Sequence, residues 1–273
     1  MQMKESERKN SEQVSKAYLT GTPMDSETWK KALVFLGILI MVYFVTLVVC
    51  SMTGFTQTFL RIGVNLIIVA GILVIFFNNG LNQGSGAVAR GEIAFHKQEN
   101  GKPLADSERK ICYHPLKGFL VALLGTLPIF VLALILSLMT TRQTASQGTL
   151  PGWLQPYLTR SEISLSLSSY TNPAGISALE LVRILVRIVI LPFINLAGSA
   201  SDKDATLLLE RFSPLLVLLP AAAYGFGYMR GPSARSQIHT EIAENARRRI
   251  RREKKERRQR RQPAAGKGPQ QLN

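Results

Sequence analysis

Cysteine and histidine are scarce: the 273 residues hold Cys50 and Cys112 and three histidines. Two separated thiols give no disulfide framework, and Cys112-Tyr113-His114 lacks the paired spacings of a zinc site. A metal or cofactor is therefore not expected. The chain also lacks a nucleophile elbow, a His-Glu-x-x-His pair and a Walker loop, and Gly84, Gly86 and Gly91 do not have the spacing of a phosphate cradle. No catalytic residue can be assigned, and a non-enzymatic protein is expected. Internal duplication, common in secondary transporters, is not evident. A secretory signal peptide is missing too, because residues 1–31 are polar and no small-residue cleavage site follows the first apolar block. That block is expected to remain in the protein.

Apolar residues, in contrast, are gathered into blocks of about twenty, the length that crosses ~30 Å of hydrocarbon as a helix. Residues 32–52 and 118–139 carry no charge. Residues 59–77 contain Arg61 near the start and Asn65 one turn deeper, and residues 207–229 contain Glu210 and Arg211 near theirs. The expected fold is an all-α integral membrane protein with these four transmembrane helices. Pro128, Pro214 and Pro220 make two of them irregular. Ala221 and Gly225, like Ala223 and Gly227, are four apart on the last span, the small-residue spacing through which helices pack closely.

A fifth apolar block, 178–198, is different. Glu180, Arg183 and Arg187 fall on one face of a helix that is otherwise apolar. Two arginines at membrane depth cost at least ~2.5 kcal/mol each. Either the helix is interfacial or re-entrant, with Glu180 paired to Arg183 and the arginines in water, or the arginines face a polar cavity.

Charge distribution chooses between these. Lys and Arg next to spans are kept on the cytoplasmic side, and they concentrate in 1–31, in 81–116 and in the tail, 230–273. Four crossings place all three inside, whereas five would export the first two. The expected organisation is a polar cytoplasmic N-terminal segment (1–31), a transmembrane domain (32–229) and a basic cytoplasmic tail, in a plasma membrane, with both termini cytoplasmic. Within the domain, 81–116 is a cytoplasmic loop, with Asn100-Gly101 a candidate hairpin turn, and 140–177 is an external loop. Trp153, Tyr157 and Tyr170 suit a headgroup-level path for the latter.

The tail is expected to be helical after Gly231-Pro232, with Ser233 or Ser236 as cap and Ile238, Ile242, Ala246 and Ile250 along one face. Its second half holds Arg247, Arg248, Arg249, Arg251, Arg252, Lys254, Lys255, Arg257, Arg258, Arg260 and Arg261 against Glu253 and Glu256. Such a run is a topology signal and a docking surface for anionic lipid, ribosome/RNA or an acidic protein. The absence of interleaved aromatics excludes base stacking. The alternative function is a small transporter or channel subunit whose polar path uses Asn65, Glu180, Arg183, Arg187 and Glu210.

Overall fold

A computed structural model describes residues 16–52, 57–140, 150–160, 162–163, 178–197 and 203–261. These are helical throughout their regular parts: α1 Ser26–Met52, α2 Thr58–Glu99, α3 Asp106–Ile111, α4 Lys117–Met139, α5 Ala178–Ala197, α6 Lys203–Met229 and α7 Gly231–Arg261. A 3₁₀ segment, Gly152–Thr159, stands between α4 and α5. Four helices, α1, α2, α4 and α6, are long and apolar enough to cross a membrane. The chain divides into two compact units, Pro23–Gly80 with His114–Met229, and Met1–Thr22 with Leu81–Tyr113 and Arg230–Asn273.

The first unit is an up-down-up-down bundle, as pairwise contacts show. The Phe35 ring on α1 lies 5.3 Å from that of Phe76 on α2, while Cys50 near the end of α1 meets Asn65 near the start of α2. These two helices are antiparallel. Lys117 at the start of α4 pairs with Asp25 just before α1, with both side chains buried, so α4 runs parallel to α1. Ser137 near the end of α4 donates to the Arg211 carbonyl near the start of α6 at 2.6 Å, which sets α6 antiparallel to α4. The apolar core between them includes Phe35, Leu39, Phe76, Ala122, Leu136, Ile190, Val217 and Tyr224.

α1 starts earlier than the apolar block at 32 because its polar first turn is capped. The Asp25 N–H donates to Thr28 Oγ1 at 2.9 Å, and the Thr28 hydroxyl returns a bond to Asp25 Oδ1 at 2.7 Å. The first bond takes up a backbone N–H at the helix end, and the second holds the Thr28 hydroxyl in place to accept it.

The expected loop 81–116 is largely helix instead: α2 continues unbroken from the apolar block to Glu99, and α3 follows. Glycine there serves close packing. A Cβ on Gly80 would run into the Tyr224 carbonyl oxygen on α6, and one on Gly231 would run into the backbone of Gly84. The expected hairpin at Asn100-Gly101 is a helix stop. Gly101 has φ 66, its N–H donates to the Gln98 carbonyl at 3.0 Å, and the Lys102 N–H reaches back to the Lys97 carbonyl at 3.1 Å. That crossed pair is the Schellman ending, in which glycine takes the left-handed position at little cost.

α5 lies across the bundle rather than along it. At about 1.5 Å per residue it is long enough to run from one end to the other. Yet Arg187 meets Glu210, in the second turn of α6, and Asn195 meets Asn65, in the second turn of α2. Both partners sit at the same end of the bundle, the end opposite Asp25 and Lys117. Val186, Val189, Ile190 and Ile194 of α5 turn into the core.

Candidate functional site

The charged residues of the fifth apolar block converge on Glu210. Its carboxylate is buried, at 1% exposure. Oε1 accepts from Arg187 Nε at 2.6 Å and lies 2.6 Å from Nη2. Oε2 lies 3.5 Å from Arg183 Nε and accepts from the Thr140 hydroxyl, which in turn accepts from Arg183 Nη2 at 3.3 Å. One carboxylate thus contacts two guanidiniums and offsets one of their two charges, with a hydroxyl that bonds both signs. α6 is fixed behind it by Ser213, whose hydroxyl donates to the Glu210 carbonyl at 2.8 Å.

This arrangement corrects the picture of arginines lying in water. Arg183 is buried at 7% exposure and Arg187 is half-buried. Glu180 lies on the exposed side of α5, and the buried carboxylate set against the arginines comes from α6. Asn65, also offered for a polar path, forms a separate group. It is fully buried, donates to the Arg61 carbonyl at 2.8 Å, and its Oδ1 accepts from Asn195 Nδ2 at 3.4 Å and from the Cys50 thiol at 3.6 Å. Thr140 and Asn195 were missed in the sequence. Asn195 had a signal, as a lone amide in an apolar run, whereas Thr140 looked like the first residue of a loop.

At the opposite end of the bundle Asp25 and Lys117 form a second buried ion pair. Burial pushes the Asp25 carboxyl up, but hydrogen bonds from Lys117 and Thr28 outweigh it and hold the group below the usual carboxylate range.

In the second unit a third carboxylate holds the tail helix. Glu92 of α2 accepts from Arg235 Nε and Nη2 at 3.1 and 3.0 Å, and its Oε1 lies 2.7 Å from His239 Nε2. Arg235 and His239 are one turn apart on α7, so both reach one carboxyl. The N-terminal segment joins the same unit through the Leu19 N–H on the Gly91 carbonyl, 3.1 Å, and the Gly21 N–H on the Tyr113 carbonyl, 2.9 Å. Cys112 is buried and donates to the Glu108 carbonyl at 3.3 Å.

The tail helix begins at Gly231, so Ser233 and Ser236 lie inside it and not at its cap. Its buried face is the polar one. Ile238, Ile242 and Ile250 are exposed, opposite to what their spacing suggested, because Gly231, Arg235 and His239 occupy the contact side. From Arg247 to Arg257 every residue is exposed; the side chains of Arg258, Arg260 and Arg261 lie outside the described set. So does Tyr170, while Trp153 is exposed and the Arg160 guanidinium stands 5.1 Å from the Tyr157 ring centre. On the last span Ala221 is buried and Gly225 faces the Phe119 ring of α4, with Ala223 and Gly227 beside them.

No protein-family model matches the chain, and neither a curated protein nor a solved structure is similar to it. Function therefore rests on the sites themselves.

Proposed function

We propose that this is a multispan protein of the cytoplasmic membrane, non-enzymatic, that holds a basic helical arm on the cytoplasmic side as a docking element for a polyanionic surface. The observation that carries the reading is the division of α7. Its first turns are tied to α2 through Glu92, Arg235 and His239, and residues 247–257 of the cationic stretch beyond are exposed. A latched base and a projecting charged arm suit docking, since ordering the arm beforehand lowers the entropy lost on binding.

Sidedness follows from the positive-inside rule. The four spans alternate in direction, so the N-terminal segment, 81–116 and the tail share one side, and these carry most of the Lys and Arg. In this reading α5 is a re-entrant or interfacial element at the outer end, where Glu210 offsets one of its two arginine charges. A transport path through Asn65, Glu180, Arg183, Arg187 and Glu210 is disfavoured. The Asn65 group and the Glu210 group make separate sets of contacts.

The test is retention of the full chain, in nanodiscs of neutral lipid, on a heparin matrix at low salt. Deleting residues 247–261 should abolish retention while insertion into the membrane is unaffected. Equal retention of the deleted form would sink the docking role.

A further inference from the structure

The charged stretch of α7 has two unlike sides. At ~100° per residue, Arg247, Arg248, Arg251, Arg252, Lys254 and Lys255 share an arc of about 160°. On the remaining arc Arg249 and Arg257 stand among Glu253 and Glu256, so that side carries no net charge. Ile250 lies there, next to the edge of the cationic arc. It belongs to a row that recurs every fourth residue, Ile238, Ile242, Ala246 and Ile250, and the next member of the row is Lys254. The three isoleucines are 40, 60 and 63% exposed, and every residue from Arg247 to Arg257 is exposed as well. An apolar row thus leads into a one-sided cationic face.

The neighbouring helix shows where that face stands. Gly231 packs on Gly84, and Arg235 and His239 meet Glu92, so α7 runs beside the last part of α2 in the same direction. Glu99 ends α2, and at equal rise per residue it comes level with the start of the cationic stretch. α7 continues past it. Because α2 is one unbroken helix, Glu99 is about 30 Å along the axis from Phe77, where the apolar block stops. A tilt of ~40°, the top of the range for spans, still leaves the arm more than two Debye lengths from the headgroups, with a Debye length of ~8 Å at physiological salt. Lipid of the protein's own membrane is out of reach.

Between nucleic acid and protein the isoleucines decide. A phosphate backbone offers little apolar surface to cover them, and with no aromatic residue in the stretch bases are not stacked. A second copy of the chain would bring the same positive charge and be repelled. An acidic helix with an aliphatic strip meets both features, its aliphatic side chains lying on the isoleucine row and its carboxylates on the cationic arc.

We infer that residues 238–255 of α7 form a docking surface for an acidic amphipathic helix of a partner protein. This rests on the docking reading above and names its partner.

The experiment presents four probes to the full chain in neutral-lipid nanodiscs: a helical peptide with leucine at every third or fourth position and glutamate between, the same composition scrambled, duplex RNA, and vesicles containing anionic lipid. The ordered peptide should bind tightest, at least about tenfold better than its scrambled form, as burial of two isoleucines implies. Ile242→Ser with Ile250→Ser should remove that advantage and leave retention on heparin unchanged, while circular dichroism confirms that the helix is kept. Arg251→Gln with Lys254→Gln should weaken the peptide about tenfold, and Arg249→Gln with Arg257→Gln by about twofold at most. A scrambled peptide that binds as tightly, or equal losses from the two charge pairs, would overturn the inference while leaving the docking role standing. So would RNA or vesicles binding more tightly than the ordered peptide. Binding to none of the four would end both readings.

Discussion

Arg187 Nη2 stands 2.6 Å from Glu210 Oε1, a contact that joins a helix lying across the bundle to the second turn of the last span. Arg183 converges on the same carboxylate, so Glu210 offsets part of the positive charge that α5 brings into the bundle. Removing one partner of a buried pair leaves an uncompensated charge, at about 3–5 kcal/mol. Glu210→Gln should therefore lower the thermal unfolding midpoint in detergent more than any other single change at this site. Arg187→Gln should cost less, as its side chain is only half-buried. A midpoint that falls equally in both variants would contradict the geometry.

Close approach of α2 and α6 makes Gly80 intolerant. Gly80→Val should separate the helices or prevent folding, since the new side chain meets the backbone carbonyl of Tyr224. At Gly71, where a Cβ would meet nothing within 4 Å, Gly71→Ala should be neutral or stabilise by up to about 1 kcal/mol through helix propensity. Thermal melts of the two variants side by side decide the point.

Asp25 sets a pH dependence. Its carboxyl is held low in the folded protein, so its contribution to stability is complete above the ordinary carboxylate range and is lost as pH falls through the folded value. The unfolding midpoint should drop on acidification below the ordinary carboxylate range, and Asp25→Asn should be less stable at neutral pH with a shallower decline. Parallel profiles for the two proteins would show that the Lys117 pair contributes nothing.

Glu92 is the tie between α2 and the tail helix. Glu92→Gln keeps the shape but removes the charge that Arg235 and His239 share, so amide hydrogens in the first turns of α7 should exchange faster. The four spans should keep their protection, because local opening of this kind does not require global unfolding. Unaltered exchange across α7 would mean that backbone packing at Gly231 suffices.

The spans were legible because an apolar run of about twenty residues has few alternatives to a membrane helix, and the four helices apolar enough to cross are those expected. The extension of α2 was not. Gly84, Gly86 and Gly91 suggest a flexible loop in isolation, and only a neighbour, such as Gly231 against Gly84, turns a glycine into a packing position. Asn100-Gly101 is equally ambiguous, since the same left-handed glycine ends a helix or turns a hairpin, and the poor strand pattern around it was the one available hint. Arg183 and Arg187 were visible as an anomaly, but their partner was not. A local reading favours Glu180 at i, i+3, whereas Glu210 reaches them only after α5 folds across the bundle.

The proposed topology has four helices crossing and α5 not, which would place 81–116 and the tail on one side. In a background with Cys50 and Cys112 changed to Ala, single cysteines at the exposed positions Lys102 and Asn245 would be probed with a membrane-impermeant maleimide in intact and in lysed cells. The account predicts that both are labelled only after lysis, while a cysteine at Trp153 is labelled in intact cells. Labelling of one of the first two positions in intact cells and the other only after lysis would mean five crossings, with Arg183, Arg187 and Glu210 carried through the membrane, and would contradict it.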